Sequence, residues 1–176
     1  MNAKTCLTIR DATSRDREQL EKHLIEAYQQ YERLMSPARW ERYKEEMKMS
    51  AAGERAIAFL VAESGDRIVG SVQLFASSEE AYGRPELEIH SPIIRFLAVS
   101  PQARGQGIAV RLIRESVLRS RAAGADTLHL HTTDMMEAAV QLYERLGFKR
   151  AQDKDFFNGE AHVKSYWLDL LQTGIA

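Results

Sequence analysis

Cysteine is nearly absent from this chain. Of 176 residues only Cys6 carries a thiol, so no intrachain disulfide can staple the fold and a cysteine-based metal site is excluded. Such a chain suits a reducing compartment, and a cytoplasmic location is the expectation. An excess of one charge is missing too. The 24 Lys and Arg stand against 25 Asp and Glu, a net charge of −1. Dedicated nucleic-acid binders and polybasic membrane-surface proteins carry a basic excess, so the balance speaks against both partners. Long hydrophobic runs are absent. The longest, Ala56 to Ala62, falls far short of the roughly 20 residues a bilayer requires. The first residues, Met1-Asn2-Ala3-Lys4-Thr5, contain no signal-peptide core. No internal repeat, low-complexity linker or Walker-type Gly-Lys-Ser/Thr occurs. What is present is 44% apolar and 28% charged residues, ordinary for a globular protein. The length predicts one domain over residues 1–176.

Hydrophobic periodicity divides the chain into two styles. Leu7-Thr8-Ile9-Arg10 predicts a short strand. Thr13 or Ser14 can cap a helix on which Leu20, Leu24, Ala27, Tyr28 and Tyr31 recur at helical spacing. Ser36-Pro37 opens a second helix, with Trp40, Tyr43 and Met47 on one face. The mixed charges from Arg39 to Lys48 read as a solvated face. Ala56 to Glu63 and Arg67 to Phe75, joined by Ser64-Gly65-Asp66, predict an antiparallel hairpin, with Gly70 at a bulge. Residues 77–92 predict a long connection with four Glu and one Arg.

From Ile93 onward the order changes. Ile93 to Val99 is a strand, Pro101 to Gly107 a glycine-bearing loop, Ile108 to near Gly124 a helix, and Thr127 to Thr132 a strand. Asp134-Met135-Met136-Glu137 resembles a capping box. It opens a helix bearing Ala139, Val140, Tyr143 and Leu146, which Gly147 ends. Phe148 leads into another strand, and Val163 to Leu170 is the last. Strand–loop–helix–strand is a βαβ unit with a parallel pair, set in an otherwise antiparallel α/β chain.

The loop Val99-Ser100-Pro101-Gln102-Ala103-Arg104-Gly105-Gln106-Gly107-Ile108-Ala109 carries the chemistry. Glycines before a helix let backbone approach a ligand, and the first helical N–H groups then face it, which suits a pyrophosphate. An ordinary βα turn is the bland alternative. A dinucleotide fingerprint fits poorly: Val110 holds the third glycine position, and Asp126 precedes the next strand instead of ending it.

With Phe96-Leu97-Ala98-Val99-Ser100-Pro101 ahead of that loop, and Ala139-Val140-Gln141-Leu142-Tyr143-Glu144-Arg145-Leu146-Gly147-Phe148 after it, the chain resembles the GNAT superfamily of N-acetyltransferases. The first stretch matches the family's acyl-CoA loop, the second its following helix motif. The resemblance implies a single-domain fold with a mixed, mostly antiparallel sheet of about six to seven strands, a central parallel pair splayed at the acyl-CoA site, and about four helices. It implies acetyl-CoA as co-substrate and no metal. Leu97, Ala98 and Val99 would offer backbone groups to the pantetheine arm, and Arg104, Gly105, Gln106, Gly107, Ile108 and Ala109 would cradle the pyrophosphate. Met136 stands where relatives often have a pantetheine-contacting asparagine, and would pack against the arm instead. The implied partner is a primary amine on a small molecule or peptide, attacked directly. Dimers are common among relatives, but no interface is legible here. A non-catalytic acyl-CoA-binding module is the alternative.

Acyl transfer to an amine poses two proton problems. A lysine-like amine, with a pKa of about 10.4, must lose a proton, and the departing thiolate must gain one. The resemblance makes Tyr143 the acid at the sulfur. The base is open. Ile93 to Val99 contains no acid, so Glu88 is the leading candidate, with His90, water or no protein base as alternatives. Glu88 and His90 would share a face if the strand ran back past Pro92. His129 and His131 share a face of their strand and read as hydrogen-bonded sheet histidines. Local charge is uneven. Residues 104–121 hold five Arg and one Glu, against the acidic 77–92 connection, suggesting a basic cofactor side and an acidic acceptor side.

Overall fold

The computed structural model describes residues 6–175. Met1 to Thr5, read above for a leader, lie outside the described residues. In chain order the elements are β1 (Leu7–Asp11), α1 (Arg17–Tyr28), α2 (Pro37–Ser50), β2 (Ala58–Ser64), β3 (Arg67–Phe75), α3 (Ser78–Tyr82), β4 (Ile93–Val99), α4 (Ile108–Ala122), β5 (Thr127–Thr132), α5 (Glu137–Arg145), β6 (Lys149–Arg150), β7 (Phe156–Phe157) and β8 (His162–Asp169), with short 3-10 turns between them. They form two compact units. Of the described residues, one holds 6–54 with Ala58–Gln73 and Phe96–Glu115; the other holds Arg55–Ile57, Leu74–Arg95 and 116–175.

In the first unit the hydrogen-bonded order is β1-β2-β3-β4. β1 and β2 run antiparallel from Leu7↔Ser64 to Asp11↔Leu60. Arg10 forks between Asp16 and Glu63, each at 2.8 Å, tying β1 to its neighbour and to the turn ahead of α1. That helix buries Leu20, Leu24, Ala27 and Tyr28, the apolar face that its spacing predicts. α2 starts at the expected cap, where the Ser36 hydroxyl accepts from the Arg39 N–H at 3.2 Å and Pro37 takes the first helical position. Its charges pair within the exposed face, Lys44 with Glu41 and Lys48 with Glu45.

β3 runs without a break through Gly70. A Cβ there would stand 2.6 Å from Ile108 Cγ2 and 3.1 Å from Leu112 Cδ1. The glycine is needed because the first turns of α4 press directly on β3.

In the second unit the order is β4-β5-β8-β6, with β7 also on β8. β4 and β5 are parallel over Ile93↔His129 and Ile94↔Leu130. β5 and β8 are antiparallel over six pairs, from Thr127↔Asp169 to Thr132↔Lys164. Phe75, Ala81, Leu87, Ile89 and Ile93 form a buried cluster.

Among the described residues there are eight strands and five helices, against the six to seven and four expected. The additions are short. α3 lies in the segment read as a connection, capped by Ser77 and stopped by Gly83 at φ 64°. β6 and β7 are two residues each and exist only by pairing with β8. The expected capping box at Asp134 is not formed. Thr133 and Met136 make no side-chain cap bonds, and Asp134 pairs with Lys164. Gly147 ends α5 as expected, at φ 90°.

Candidate active site

The first unit carries the glycine loop. β4 bends at Phe96, a non-glycine residue with φ 49°, in the left-handed region that costs an L-residue about 1–2 kcal/mol. Packing holds it there. Phe96 is buried and meets Tyr28 edge-on at 6.4 Å and Tyr43 at 6.2 Å. The Tyr28 hydroxyl donates to the Leu97 carbonyl at 2.9 Å. Leu97 and Val99 are half-buried and Ala98 is buried.

Beyond Ser100 a 3-10 turn (Pro101–Ala103) leads through extended Arg104 to Gly105 and Gly107, with φ of 76° and 74°. No atom lies within 4 Å of the Cβ position of either glycine, so backbone is open to a ligand on that side. α4 then begins at Ile108, where first-turn N–H groups have no acceptor inside the helix. This arrangement fits a pyrophosphate held by backbone and the positive helix end.

The arginines of this segment do other work. Arg104 reaches the Gln30 amide oxygen (3.2 Å) and the Ala27 carbonyl (3.0 Å). Arg111 donates to the Leu7 carbonyl at 3.0 Å. In the second unit Arg121 donates to the carbonyls of Leu170, Ile175 and Thr173 at 2.9–3.0 Å. Much of the basic charge expected to face the cofactor is thus spent on backbone carbonyls. Buried His23, whose Nδ1 lies 3.1 Å from the Ser100 hydroxyl, supports the end of β4. Burial lowers it to about 4.

The second unit carries the remaining candidates. Tyr143 on α5 is buried, its ring 5.8 Å from that of Phe148. Met136 is half-buried just ahead of α5. Glu88 lies outside β4, which starts at Ile93. It is exposed at φ 50° and closes the 3-10 turn Pro85–Leu87, its N–H donating to the Pro85 carbonyl at 2.9 Å. His90 is exposed too, while Leu87 and Ile89 turn inward.

A cluster that sequence reasoning did not assemble surrounds His131. Its Nδ1 lies 3.1 Å from the Tyr82 hydroxyl and its Nε2 3.2 Å from the Lys154 carbonyl. Tyr82 stands edge-on to the imidazole at 5.0 Å, and Phe156 packs on both rings at 5.3 and 5.6 Å. Arg95 lies 4.7 Å over Tyr82 and Arg84 4.5 Å over Phe156. Burial lowers His129 and His131 to about 4 and pushes Tyr82 up to about 12. The alternation of His129 and His131 was the one visible signal; Tyr82 and Lys154 join from segments far along the chain.

A family model described as an acetyltransferase (GNAT) domain matches residues 55–150, which include the glycine loop and α5. The chain belongs to the GNAT acetyltransferase family. Rat N-acetyltransferase 8B is 39% identical over 101 residues, 57% of this chain and 43% of that protein. The chain thus spans less than half the length of the curated relatives it matches. Among solved structures, PaiA N-acetyltransferase of Thermoplasma acidophilum, in complex with coenzyme A, superposes with a TM-score of 0.68 at 16% identity, covering 91% of this chain and 98% of that one. A GNAT family acetyltransferase of Brucella melitensis, in complex with acetyl-CoA, gives 0.62 at 19% identity, covering 94% and 88%. The architecture is the α/β GNAT fold, a mixed sheet with its parallel β4–β5 pair. Among the described residues no helix is long and apolar enough to cross a membrane.

Proposed function

We propose that this chain is an acetyl-CoA-dependent N-acetyltransferase acting as one domain, which moves the acetyl group to a primary amine of a small molecule or peptide by direct attack. The observation that carries the reading is the Gly105/Gly107 loop, left-handed and open at both Cβ positions, feeding a fifteen-residue helix in a chain of this family. In this reading backbone N–H groups of Arg104 to Ala109 hold the pyrophosphate. Leu97, Ala98 and Val99 lie along the pantetheine arm, with Met136 packing beside it. Acetyl-CoA supplies the activated thioester. The amine nitrogen bonds to the acetyl carbon as the carbon–sulfur bond breaks. Tyr143 gives its hydroxyl proton to the leaving thiolate. Glu88 is the proposed acceptor of the amine proton, its exposure allowing relay through water. The exposed acidic side chains Glu79, Glu80, Glu86 and Glu88 suit the approach of a cationic amine. A cytoplasmic location accompanies this reading, since the single thiol suits a reducing compartment.

The test is release of free thiol from acetyl-CoA with a panel of amines. Thiol release above background with at least one amine is expected. Tight acetyl-CoA binding without thiol release would leave a binding module instead.

A further inference from the structure

One stripe of the first helix is fastened to the glycine loop. His23, Glu26 and Ala27 lie on α1, and Gln30 lies on the 3-10 turn (Gln29–Leu34) that continues it. Their spacing, i, i+3, i+4 and i+7, places them on one face. Every second residue of the loop meets that face, in chain order. The Ser100 hydroxyl lies 3.1 Å from His23 Nδ1. The Gln102 amide donates to the Glu26 carboxylate at 3.1 Å. The Arg104 guanidinium donates to the Ala27 carbonyl at 3.0 Å and to the Gln30 amide oxygen at 3.2 Å. All of these residues belong to the first unit.

Beyond Arg104 the fastening stops. Gly105, Gln106 and Gly107 are exposed, and nothing stands near the Cβ positions of the two glycines. The next buried residue is Ile108. Glycine leaves a chain more conformations than any other residue. Backbone that must aim several N–H groups at one pyrophosphate therefore loses affinity to the cost of becoming ordered, unless something orders it beforehand. Arg104 is the last side-chain anchor before the free stretch. Its guanidinium is well placed to stay, because Ala27 lies in the last turn of α1. Carbonyls there lack partners within the helix and carry the negative end of its dipole.

We propose that Arg104 is a positioning residue for the cofactor. By holding the loop on Ala27 and Gln30 it presets the backbone of Gly105 to Gly107 for the pyrophosphate, and its charge is not given to the phosphates. The proposal rests on the reading of this loop as the acyl-CoA site.

Wild type, Arg104→Met, Gln30→Ala and the double variant are titrated with CoA by calorimetry. The Kd is expected to rise about tenfold in Arg104→Met and about threefold in Gln30→Ala, as loss of neighbouring hydrogen bonds does. The double variant should bind no more weakly than Arg104→Met, because Gln30 acts through Arg104. The second readout is 15N relaxation of the free proteins. Order parameters of the Gly105 and Gly107 amides should fall in Arg104→Met and recover with saturating CoA, while those of β2 and β3 stay at wild-type values. A general loss of structure would lower both sets. An unchanged Kd in Gln30→Ala, or additive losses in the double variant, overturns the proposal, since Arg104 would then act on the phosphates directly. Unchanged loop order parameters in Arg104→Met overturn it as well. Wild type that binds no CoA overturns the acyl-CoA reading of the loop and this proposal with it. Wild-type binding with unaltered Kd in both single variants removes this proposal alone.

Discussion

The Tyr28 hydroxyl donates to the Leu97 carbonyl at 2.9 Å, one residue beyond the left-handed Phe96. The bend in β4 is therefore held from outside the strand, by a helix whose ring also packs on Phe96. Tyr28→Phe keeps the packing and deletes the hydrogen bond. The expected cost is about 1 kcal/mol, or about 2–4 °C in Tm for a domain of this size. Acetyl-CoA binding by calorimetry should weaken along with it, since Leu97 belongs to the proposed pantetheine track.

Gly70→Ala tests the seat of α4. The new methyl would meet Ile108 at 2.6 Å, and Ile108 follows the glycine loop directly. Overpacking of this kind costs about 1–3 kcal/mol. The helix start should shift, raising the Kd for CoA as well as lowering Tm. Gly105→Ala gives a contrast. The space around it is open, so its stability cost comes from the positive φ alone, about 1 kcal/mol.

Tyr143→Phe separates chemistry from binding. If its hydroxyl protonates the leaving thiolate, turnover with saturating amine should fall about a hundredfold, while acetyl-CoA affinity measured by calorimetry changes little. Unchanged turnover would remove the acid assignment.

Ionic strength probes the arginine-rich segment. Arg104 and Arg111 are engaged with backbone carbonyls near α1 and β1, and Arg121 with carbonyls of the last residues. Cofactor affinity should therefore depend on backbone N–H groups more than on side-chain charge. Titration of acetyl-CoA from about 0.05 to 0.5 M salt should give a shallow decline. A steep one would mean that the guanidinium groups leave their carbonyls when the cofactor binds.

Acid should destabilise the fold early. Burial holds His23, His129 and His131 at about 4, below the ordinary 6.5. Between those values the unfolded chain binds protons that the folded chain refuses. Stability therefore falls as pH drops from about 6.5 to about 4, and this contribution levels off below that. Urea midpoints measured across the window should show the slope, and His23→Gln should lessen it, His129 and His131 keeping the rest.

Much of the proposed cofactor segment was legible in the residues. Ile93–Val99, the turn at Gly105 and Gly107, the start of α4 at Ile108 and Thr127–Thr132 lie where the pattern placed them. Each rests on a local requirement: an apolar run of strand length, or a left-handed φ that only glycine adopts cheaply. α3 was missed because five residues are too few to show a helical period. The shared strand face for Glu88 and His90 failed because a left-handed residue interrupts the segment before β4 begins.

The sequence by itself determined where this chain must turn, where it is apolar enough to form strands and helices, and which family motifs it carries. Those follow from sterics and hydrophobicity within a few neighbouring residues. Only the tertiary structure decided which side chains meet. It set Gly70 under Ile108, Tyr28 on Leu97, Arg121 on the C-terminal carbonyls and Tyr82 against His131. Partners tens of residues apart are chosen by the packing of whole elements, and no local pattern encodes that choice.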